Sequence, residues 1–458
     1  MVPFLLPANP VTSLDDYRAE GGGQGLALAH ELGPARTIAE LVASGLRGRG
    51  GGGFPTGRKW DAIRRAGGNH YVVCNAAEGE PATFKDRALM RANPYQAIEG
   101  LAIAAFCVDA PFAYVALKAS FKLERAAVTR AVEEMDAAGL LGDLALTVVA
   151  GPEEYLFGEE KALLEVIEGK DPMPRLFPPF QVGLFATGPQ QGWEATTATG
   201  SGAPQANPTL VNNLETLANV PHILARGPDW FRSMGTEASP GTVCATVVGD
   251  VVTPAVAEVE MGTPLGELIE ACGGPLPGRR LKAAFSGVAN SVLRADRLAT
   301  PLTHEDMQAA GSGLGAAGFA VYDDTACMVE VARVLSRFLY VESCGQCRAC
   351  KFGCREITAA LERIEAGGGT DADVQSIGGQ LRTVTDQARC YLATQEQLVV
   401  SSVLRAFSEE FAEHVEGRCR APYERRILVP KIVDLRDGVV TYDERQAFKE
   451  PDWSYREN

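Results

Sequence analysis

The spacing of hydrophobic residues divides the chain into regions of different secondary structure. Up to about residue 240, short apolar runs such as HYVVCNAA, PFAYVALK and ALTVVAG alternate with helical stretches. Apolar runs separated by helices predict an α/β domain with a largely parallel sheet. Residues 241–322 show strand-type alternation in TVCATVVGDVVTPAVAEVEMG and one short helix, PLGELIEACGG, which predicts a small mixed α/β domain.

The chain is helical from Asp323 onward. Apolar residues recur at three- and four-residue spacing in TACMVEVARVLSRFLYVES, REITAALERIEAGG, DADVQSIGGQLRTVTDQARC and TQEQLVVSSVLRAFSEEFAEHVEG. This periodicity predicts a small helical bundle over 323–419. Residues 420–458 look like a hairpin and an extended arm, which we expect to dock on a partner subunit. The small and polar residues of 186–208 predict a long loop in the first domain.

Charge and hydropathy argue against nucleic-acid binding and against a membrane-spanning segment. The 458 residues include 43 Lys and Arg against 58 Asp and Glu, a net charge of −15, so phosphates of a free nucleic acid would be repelled. The longest apolar run contains Asp109 and Pro111 and is too short to span a bilayer. The first residues lack the basic region and cleavage site of a signal peptide. We therefore expect a cytoplasmic protein that binds no nucleic acid and has no membrane span.

The eleven cysteines fall into two groups. Six occur singly among mostly apolar neighbours, which predicts small buried side chains: Cys74, Cys107, Cys244, Cys272, Cys327 and Cys419. Cys344, Cys347 and Cys350 instead form C-x2-C-x2-C, a spacing that suits an iron–sulfur cluster with four thiolate ligands. Structural zinc sites more often consist of two separated pairs, which disfavours zinc here. Spacing alone leaves Cys354 and Cys390 open as the fourth ligand.

Three further segments carry candidate binding groups. SGLRGRGGGGFPTGRKW, residues 44–60, has seven glycines whose N–H groups could surround a phosphate. CNAAEGEPATFKDR follows a predicted strand, where ligands bind in open α/β sheets. YLFGEEKALLEVIEG opens a helix with two acids, which suit the positive end of its dipole. Taken singly, each segment also has a structural explanation as a mobile linker, a charged turn or a helix cap.

Together with PTLVNNLETLANVP and CYLATQ, these segments resemble the NADH-oxidising flavoprotein subunit of respiratory complex I and of related NAD-linked hydrogenases and formate dehydrogenases. The resemblance runs in order from about residue 13 to about residue 415. It implies a Rossmann-like domain for FMN and NADH over 1–240 and a ubiquitin-like β-grasp (SLBB-like) domain over 241–322. It also implies a four-helix bundle with one [4Fe–4S] cluster over 323–419, followed by a C-terminal extension over 420–458.

The resemblance also assigns residues. The FMN-binding positions that it implies are Gly48, Arg49, Gly50, Gly51, Gly53, Lys59, Asn75, Tyr155, Gly158, Glu159, Asn212, Asn213 and Thr216. The NADH-binding positions are Phe54, Glu78, Glu80, Glu160 and Phe180, and the acid at Glu78 favours NADH over NADPH. The cluster ligands are Cys344, Cys347, Cys350 and Cys390, which leaves Cys354 as an extra thiol.

Three positions depart from the family pattern. Ala77 replaces an Asp at a flavin-contacting position, Ala62 replaces a second adenine-stacking Phe, and Phe177 replaces a Lys that contacts the nucleotide. The implied function is an NADH dehydrogenase (diaphorase) subunit, in which hydride passes from NADH to FMN and electrons pass singly through the cluster. The implied acceptor is a small [2Fe–2S] thioredoxin-like subunit, with further iron–sulfur subunits in a larger complex. The alternative is a flavin and iron–sulfur subunit with a degenerate nucleotide site and another redox partner.

Overall fold

The computed structural model describes residues 3–187, 205–422 and 425–456. They form two compact units. The first unit contains the residues up to Gly79, Lys85–Cys244 and Ala257–Gly262, and the second contains Glu80–Phe84, Ala245–Val256 and the residues from Thr263 onward. Most of the predicted loop 186–208 lies outside the described residues. The boundaries of the four domains expected from the sequence stay predictions.

The first unit alternates helices and strands. Its strands are β1 (Tyr71–Asn75), β2 (Phe112–Lys118), β3 (Ala145–Gly151) and β4 (Thr209–Asn213). Its helices are α1 (Leu14–Ala19), α2 (Gln24–Leu32), α3 (Pro34–Ser44), α4 (Thr56–Arg65), α5 (Lys85–Ala92), α6 (Pro94–Val108), α7 (Lys122–Ala137), α8 (Glu160–Ile167), α9 (Leu214–Arg226) and α10 (Pro228–Arg232).

The four strands form one parallel sheet in the order β3-β2-β1-β4. This confirms the predicted α/β class, although β4 was not predicted as a strand. From β1, the strands β2 and β3 follow on one side of the sheet, and β4 lies on the other side. The direction in which successive strands are added therefore reverses between β1 and β4. In open α/β sheets, ligands bind in the crevice outside the carboxyl ends of the strands at such a reversal.

The core of this unit depends on a close helix crossing. Helix α6 is apolar and buried along nearly its whole length, and it packs against α9. A Cβ at Gly100 would lie 2.0 Å from the carbonyl oxygen of Leu217, so only glycine allows the two helices to approach this closely.

A mixed five-stranded sheet follows the parallel sheet along the chain, and its first two strands contain residues of both units. Strands β5 (Thr242–Gly249), β6 (Ala255–Glu260), β7 (Leu281–Ser286), β8 (Leu293–Arg294) and β9 (Gly318–Asp323) are arranged as β6-β5-β9-β7-β8, together with the short helices α11 (Leu265–Ala271) and α12 (His304–Ala309). β5 pairs in parallel with β9, whereas β7 pairs antiparallel with β9 and β8. A small mixed domain of this kind is what the sequence predicted.

The helical region contains five helices within the described residues rather than the four expected. They are α13 (Met328–Glu342), α14 (Arg348–Glu365), α15 (Asp371–Leu381), α16 (Leu392–Ala406) and α17 (Ser408–Val415). The difference arises at Phe407, which has a non-helical backbone (φ −131°, ψ 35°) and divides the last predicted helix into two.

The C-terminal segment forms the predicted hairpin. Strands β10 (Ile432–Arg436) and β11 (Val439–Tyr442) pair antiparallel around Asp437 and Gly438. Both turn residues have positive φ, 51° and 74°, as a two-residue type I′ turn requires. None of the helices in the described ranges has the length and apolar character needed to cross a membrane.

The single cysteines follow the prediction with one exception. Cys74, Cys107, Cys244, Cys272 and Cys327 are buried, whereas Cys419 is exposed. The expectation was therefore wrong for Cys419, which lies after the end of α17 among charged residues instead of in an apolar core.

Candidate functional site

The glycine-rich segment forms a closed loop between α3 and α4. The Gly48 N–H donates to the Phe54 carbonyl at 2.9 Å, and the Thr56 N–H donates to the Leu46 carbonyl at 2.9 Å. Gly51 has a φ of 115°, which L-residues rarely adopt. These contacts clip the two ends of the loop together, and the glycine at position 51 allows the backbone to turn between them.

Several backbone N–H groups of this loop form no hydrogen bond within the described residues. Within the described part of the chain, the N–H groups of Gly50, Gly51 and Gly52 donate to no protein acceptor. The loop leads directly into α4, whose N-terminal end carries partial positive charge. The Thr56 hydroxyl at that end is buried and has no hydrogen-bond partner among the described residues. Free N–H groups at a helix N-terminus suit a phosphate, so this loop fits the phosphate of FMN.

Three asparagines occupy the carboxyl ends of the two strands at the reversal. Asn75 ends β1 and pairs in register with Asn213 at the end of β4, next to Asn212. The Trp60 indole donates to Asn212 Oδ1 at 2.8 Å, which leaves the Asn212 amide nitrogen to donate elsewhere. Asn75 Nδ2 donates to the Gly158 carbonyl at 2.8 Å. The strands therefore bring oriented amides to the crevice beside the glycine loop.

A buried network of charged groups orients the side chain of Asn213. Lys85 Nζ, which is fully buried, lies 2.8 Å from both Asp86 and Glu215. Asn213 Nδ2 donates to Asp86 at 2.7 Å, and its oxygen accepts from the Glu215 N–H at the start of α9. Burial alone lowers the pKa of Lys85, but the carboxylates of Asp86 and Glu215 outweigh it and raise that pKa. Lys85 therefore stays charged and holds the network together.

Two of the predicted flavin-binding residues lie behind the loop. The buried Arg49 guanidinium donates to the carbonyls of Thr242 at 3.0 Å, Pro240 at 3.1 Å and Arg47 at 3.2 Å. The Arg49 N–H donates to the Thr216 hydroxyl at 2.8 Å. Arg49 and Thr216 thus support the loop from the protein side, and their direct contact with FMN stays a prediction.

The remaining predicted residues of the pocket surround the start of α8. A turn at Tyr155–Gly158 precedes this helix. The Glu159 carboxylate accepts from the Lys161 and Ala162 N–H groups at its first turn, and burial raises the pKa of Glu159 to about 7. Glu160 lies 3.4 Å from Lys59 Nζ. Lys59 and Glu160, predicted for different ligands, are thus brought together as an ion pair.

The residues predicted to contact NADH are of two kinds: exposed aromatic rings, and glutamates whose carboxylates accept hydrogen bonds from the backbone. Phe54 and Phe180, both in the first unit, are 57% and 50% exposed, which leaves their faces available for stacking. The Glu78 carboxylate accepts from the Asp86 and Arg87 N–H groups at the start of α5, and burial raises its pKa to about 7. Glu80 lies in the second unit, where it accepts from the Val288 N–H at 2.6 Å. For both acids, contact with the nucleotide stays a prediction.

The predicted cluster ligands lie at helix ends of the second unit. Cys344 follows α13, Cys347 precedes α14, Cys350 lies in the first turn of α14, and Cys390 precedes α16. The additional Cys354 is buried in α14, one turn beyond Cys350. The neighbouring Cys354 thiol is the main cause that lowers the pKa of the Cys350 thiol. Cys354 therefore lies beside a predicted ligand on the same helix.

The C-terminal segment packs against the segment that carries these cysteines. Glu342, at the end of α13, is fully buried and lies 2.9 and 3.1 Å from Lys449 Nζ. Lys351, in α14, donates to the Ser343 carbonyl at 2.7 Å and to the Pro451 carbonyl at 2.8 Å. The arm expected to dock on a partner therefore contacts its own chain on both sides of Cys344 in sequence, and its docking on a partner stays a prediction.

Sequence reasoning missed the residues that support the site. Trp60, Lys85, Glu342 and Lys449 act through contacts with residues distant in sequence, and no spacing pattern indicates them. A cluster of Cys327, His414 and Cys419 was also missed, although the sequence contains only five histidines and His414 lies five positions from a cysteine.

Comparison with protein families matches three parts of the chain. Residues 41–222 match the Nuo51 FMN-binding domain, residues 244–285 match the SLBB domain, and residues 330–414 match the NADH-ubiquinone oxidoreductase-F iron–sulfur binding region. The first match covers the glycine loop and the three asparagines, and the last covers all four predicted cluster ligands. These matches confirm the FMN-binding and [4Fe–4S]-binding regions.

The matching proteins are redox subunits. The chain is 38% identical to an NADH-quinone oxidoreductase subunit of Rhizobium meliloti (strain 1021), over 90% of this chain and 96% of that protein. It is 34% identical to the NADP-reducing hydrogenase subunit HndC of Solidesulfovibrio fructosivorans, over 89% and 81%. A crystal structure of an NAD+-reducing [NiFe]-hydrogenase in the H2-reduced state matches with a TM-score of 0.74 and 30% identity. This match covers 87% of the present chain and 65% of the hydrogenase chain, so the chain spans just under two thirds of that relative.

Proposed function

The chain belongs to the family of FMN- and iron–sulfur-binding subunits of NADH-quinone oxidoreductases and related NAD-linked hydrogenases, and on that basis we propose that it is the NADH-oxidising subunit of a multi-subunit redox complex. The observation that carries this proposal is the glycine loop beside the crevice at the reversal of the parallel sheet. A loop with free N–H groups next to oriented asparagine amides is suited to a flavin phosphate and ring.

The protein contributes binding and orientation. FMN supplies hydride acceptance from NADH, and the [4Fe–4S] cluster supplies single-electron transfer. Gly50, Gly51 and Gly52 would hold the FMN phosphate through their N–H groups. Asn75 and Asn212 would donate to or accept from the polar edge of the flavin ring, because Trp60 and Gly158 already fix their amides.

The nucleotide would bind through exposed aromatic surface. Phe54 and Phe180 offer ring faces to the nicotinamide nucleotide, and stacking of this kind contributes roughly 0.5–1.5 kcal/mol per pair. We propose NADH over NADPH, because the acid at Glu78 would repel a 2′-phosphate. One relative is a hydrogenase subunit named as NADP-reducing, so both nucleotides belong in the test.

Electrons would leave through the second unit. Cys344, Cys347, Cys350 and Cys390 would hold the [4Fe–4S] cluster, since iron–sulfur clusters require thiolate ligands. The proposed acceptor is a small [2Fe–2S] thioredoxin-like subunit, with further iron–sulfur subunits in the same complex. Relatives named as subunits of NADH-quinone oxidoreductases and hydrogenases support a place in a larger complex, whereas the [2Fe–2S] acceptor rests on the sequence resemblance.

The test is anaerobic stopped-flow spectroscopy of the FMN-loaded, cluster-reconstituted protein. Mixing with NADH is expected to bleach the flavin absorbance faster than mixing with an equal concentration of NADPH. Bleaching by dithionite but not by NADH would overturn the proposal. It would favour the alternative, in which the flavin and cluster are retained but another redox partner donates the electrons.

A further inference from the structure

A second group of metal-ligating side chains lies in the second unit. The sulfur atoms of Cys327 and Cys419 and a ring nitrogen of His414 all lie within 4.8 Å of one another. The three residues come from different elements, since Cys327 caps the start of α13, His414 lies in α17 and Cys419 lies in the segment after α17. None of them belongs to the C-x2-C-x2-C motif or to the four predicted cluster ligands.

The spacing of these atoms suits one tetrahedral ion. Cys327 Sγ lies 3.4 Å from His414 Nε2. With Zn–S bonds of about 2.3 Å and Zn–N bonds of about 2.0–2.1 Å, tetrahedral geometry places a sulfur and a nitrogen ligand about 3.5 Å apart. An ion could therefore bind both atoms with almost no rearrangement, and Cys419 is close enough to supply a third ligand.

The imidazole of His414 is oriented for this role. Its Nδ1 lies 2.8 Å from the Glu410 carbonyl oxygen. A carbonyl can only accept, so Nδ1 carries a hydrogen, and in the neutral imidazole Nε2 is the atom that can bind a metal. Histidines that bind metals typically make this second hydrogen bond to a carbonyl or carboxylate, which fixes the tautomer and the ring orientation.

The surrounding contacts hold the ligands in place. The Glu410 carboxylate accepts from the Met328 N–H at 2.9 Å and lies 2.7 Å from Lys282 Nζ. Glu410 therefore connects α17 to the first turn of α13, next to Cys327.

The three ligands differ in exposure in a way that suits metal entry. Cys327 and His414 are buried, whereas Cys419 is exposed. An ion can reach the site from the Cys419 side, and water can complete its coordination there. Two thiolates and one imidazole favour Zn²⁺ over the hard cations Mg²⁺ and Ca²⁺, which prefer oxygen ligands.

We propose that Cys327, His414 and Cys419 bind one Zn²⁺ ion that ties the start of the C-terminal segment to helices α13 and α17. The ion would join three elements, with water as its fourth ligand. This zinc adds to the iron of the [4Fe–4S] cluster and does not replace it.

The test counts zinc in the full-length protein. Iron–sulfur reconstitution first fills the C-x2-C-x2-C site, and the protein is then exposed to Zn²⁺, dialysed and measured by plasma mass spectrometry. We expect about one zinc per chain in the wild type and at least a tenfold lower zinc content in Cys419→Ala and His414→Gln. Cys272→Ala, which removes a thiol elsewhere in the second unit, is the matched control and should retain the zinc.

Absorption spectroscopy at the zinc edge identifies the ligands. A shell of two sulfurs and one imidazole nitrogen supports the site, whereas a four-sulfur shell would mean that zinc had entered the cluster motif and would overturn the proposal. Zinc content near zero in the wild type, or unchanged in Cys419→Ala, would overturn it too. Recovery of a Cys327–Cys419 disulfide from zinc-treated protein would show that the thiols pair with each other instead.

Discussion

Two glycines of the loop 48–53 allow two effects to be tested independently. Gly51 tests the effect of backbone conformation on stability, and Gly52 tests contact with a bound ligand. Gly51 has a positive φ, whereas a Cβ at Gly52 would meet no protein atom within 4 Å. Gly51→Ala should therefore lower the stability of the protein without FMN by about 1–3 kcal/mol. Chemical denaturation of the flavin-free protein measures this change.

Gly52→Ala is the matched substitution. It should leave the unfolding free energy of the flavin-free protein unchanged, because its Cβ enters open space. If that space belongs to the FMN phosphate, the FMN dissociation constant should rise about tenfold, equivalent to about 1.4 kcal/mol. Fluorescence titration with FMN measures it, and unchanged affinity would indicate that the loop does not enclose the flavin.

The two nucleotide positions that depart from the family pattern can be restored. Ala62 lies exposed on α4, and Phe177 is 37% exposed, so both sites accept larger or charged side chains. Ala62→Phe with Phe177→Lys should strengthen NADH binding through stacking of about 1 kcal/mol and an added contact to phosphate. The KM for NADH measures this, and an unchanged KM would argue against a weakened site of the family type.

Glu396 provides a pH-dependent prediction. It is fully buried in the bundle, with one oxygen accepting from the Ser336 hydroxyl at 2.6 Å and the other without a partner among the described residues. Burial raises the pKa of Glu396 to about 8 from an ordinary value of 4.5. Folding therefore favours the protonated form, and stability falls as pH rises from about 4.5 toward 8.

Glu396→Gln should remove this pH dependence. Its unfolding free energy should be close to that of the wild type near pH 5 and higher near pH 8, by a difference on the order of 2–4 kcal/mol. Urea denaturation at a series of pH values measures both proteins. Parallel curves across that range would show that Glu396 is already ionised in the folded state.

Among the elements, helix α13 depends most clearly on a distant partner. Lys449 and Glu342 are both fully buried, so Lys449→Met removes the buried ammonium group that pairs with the Glu342 carboxylate. We expect a loss of about 3–5 kcal/mol in unfolding free energy and faster release of cluster iron to a chelator. Adding Glu342→Gln should recover part of the stability, because it removes the buried negative charge that Lys449 would otherwise balance.

Arg445→Met is the control for this element. Arg445 pairs with Asp443 but is 72% exposed, and exposed ion pairs contribute little. It should therefore leave both the unfolding curve and the iron release nearly unchanged. Equal effects of Lys449→Met and Arg445→Met would contradict a specific role for the buried pair.

Some elements could be predicted because local pattern determines them. Strands β1, β2 and β3 each contain a run of apolar residues, and the Asp437–Gly438 pair specifies its turn through backbone preference. Strand β4 contains only two clearly apolar residues among its five, so its membership of the sheet is set by pairing with β1 and not by its own pattern. The periodicity of apolar residues likewise does not predict that α16 ends before Phe407.

Across the whole molecule, residue types could be predicted better than side-chain directions. The sequence indicated which segments bind cofactors, and the family matches confirm those regions. It could not show that the guanidinium of Arg49 donates to backbone carbonyls or that Glu78 caps α5. Such directions depend on contacts with residues far along the chain, for which a single sequence contains no signal.

The separation between Glu342 and Lys449 also has a consequence for biosynthesis. The two residues are 107 positions apart, so on the ribosome the carboxylate of Glu342 emerges long before the ammonium that neutralises it. Until Lys449 has been translated, α13 cannot bury the carboxylate of its last residue against the ammonium group that balances its charge. The cysteine loop next to it therefore reaches its final conformation late, and iron–sulfur insertion should follow translation of the C-terminal segment instead of accompanying the synthesis of the bundle.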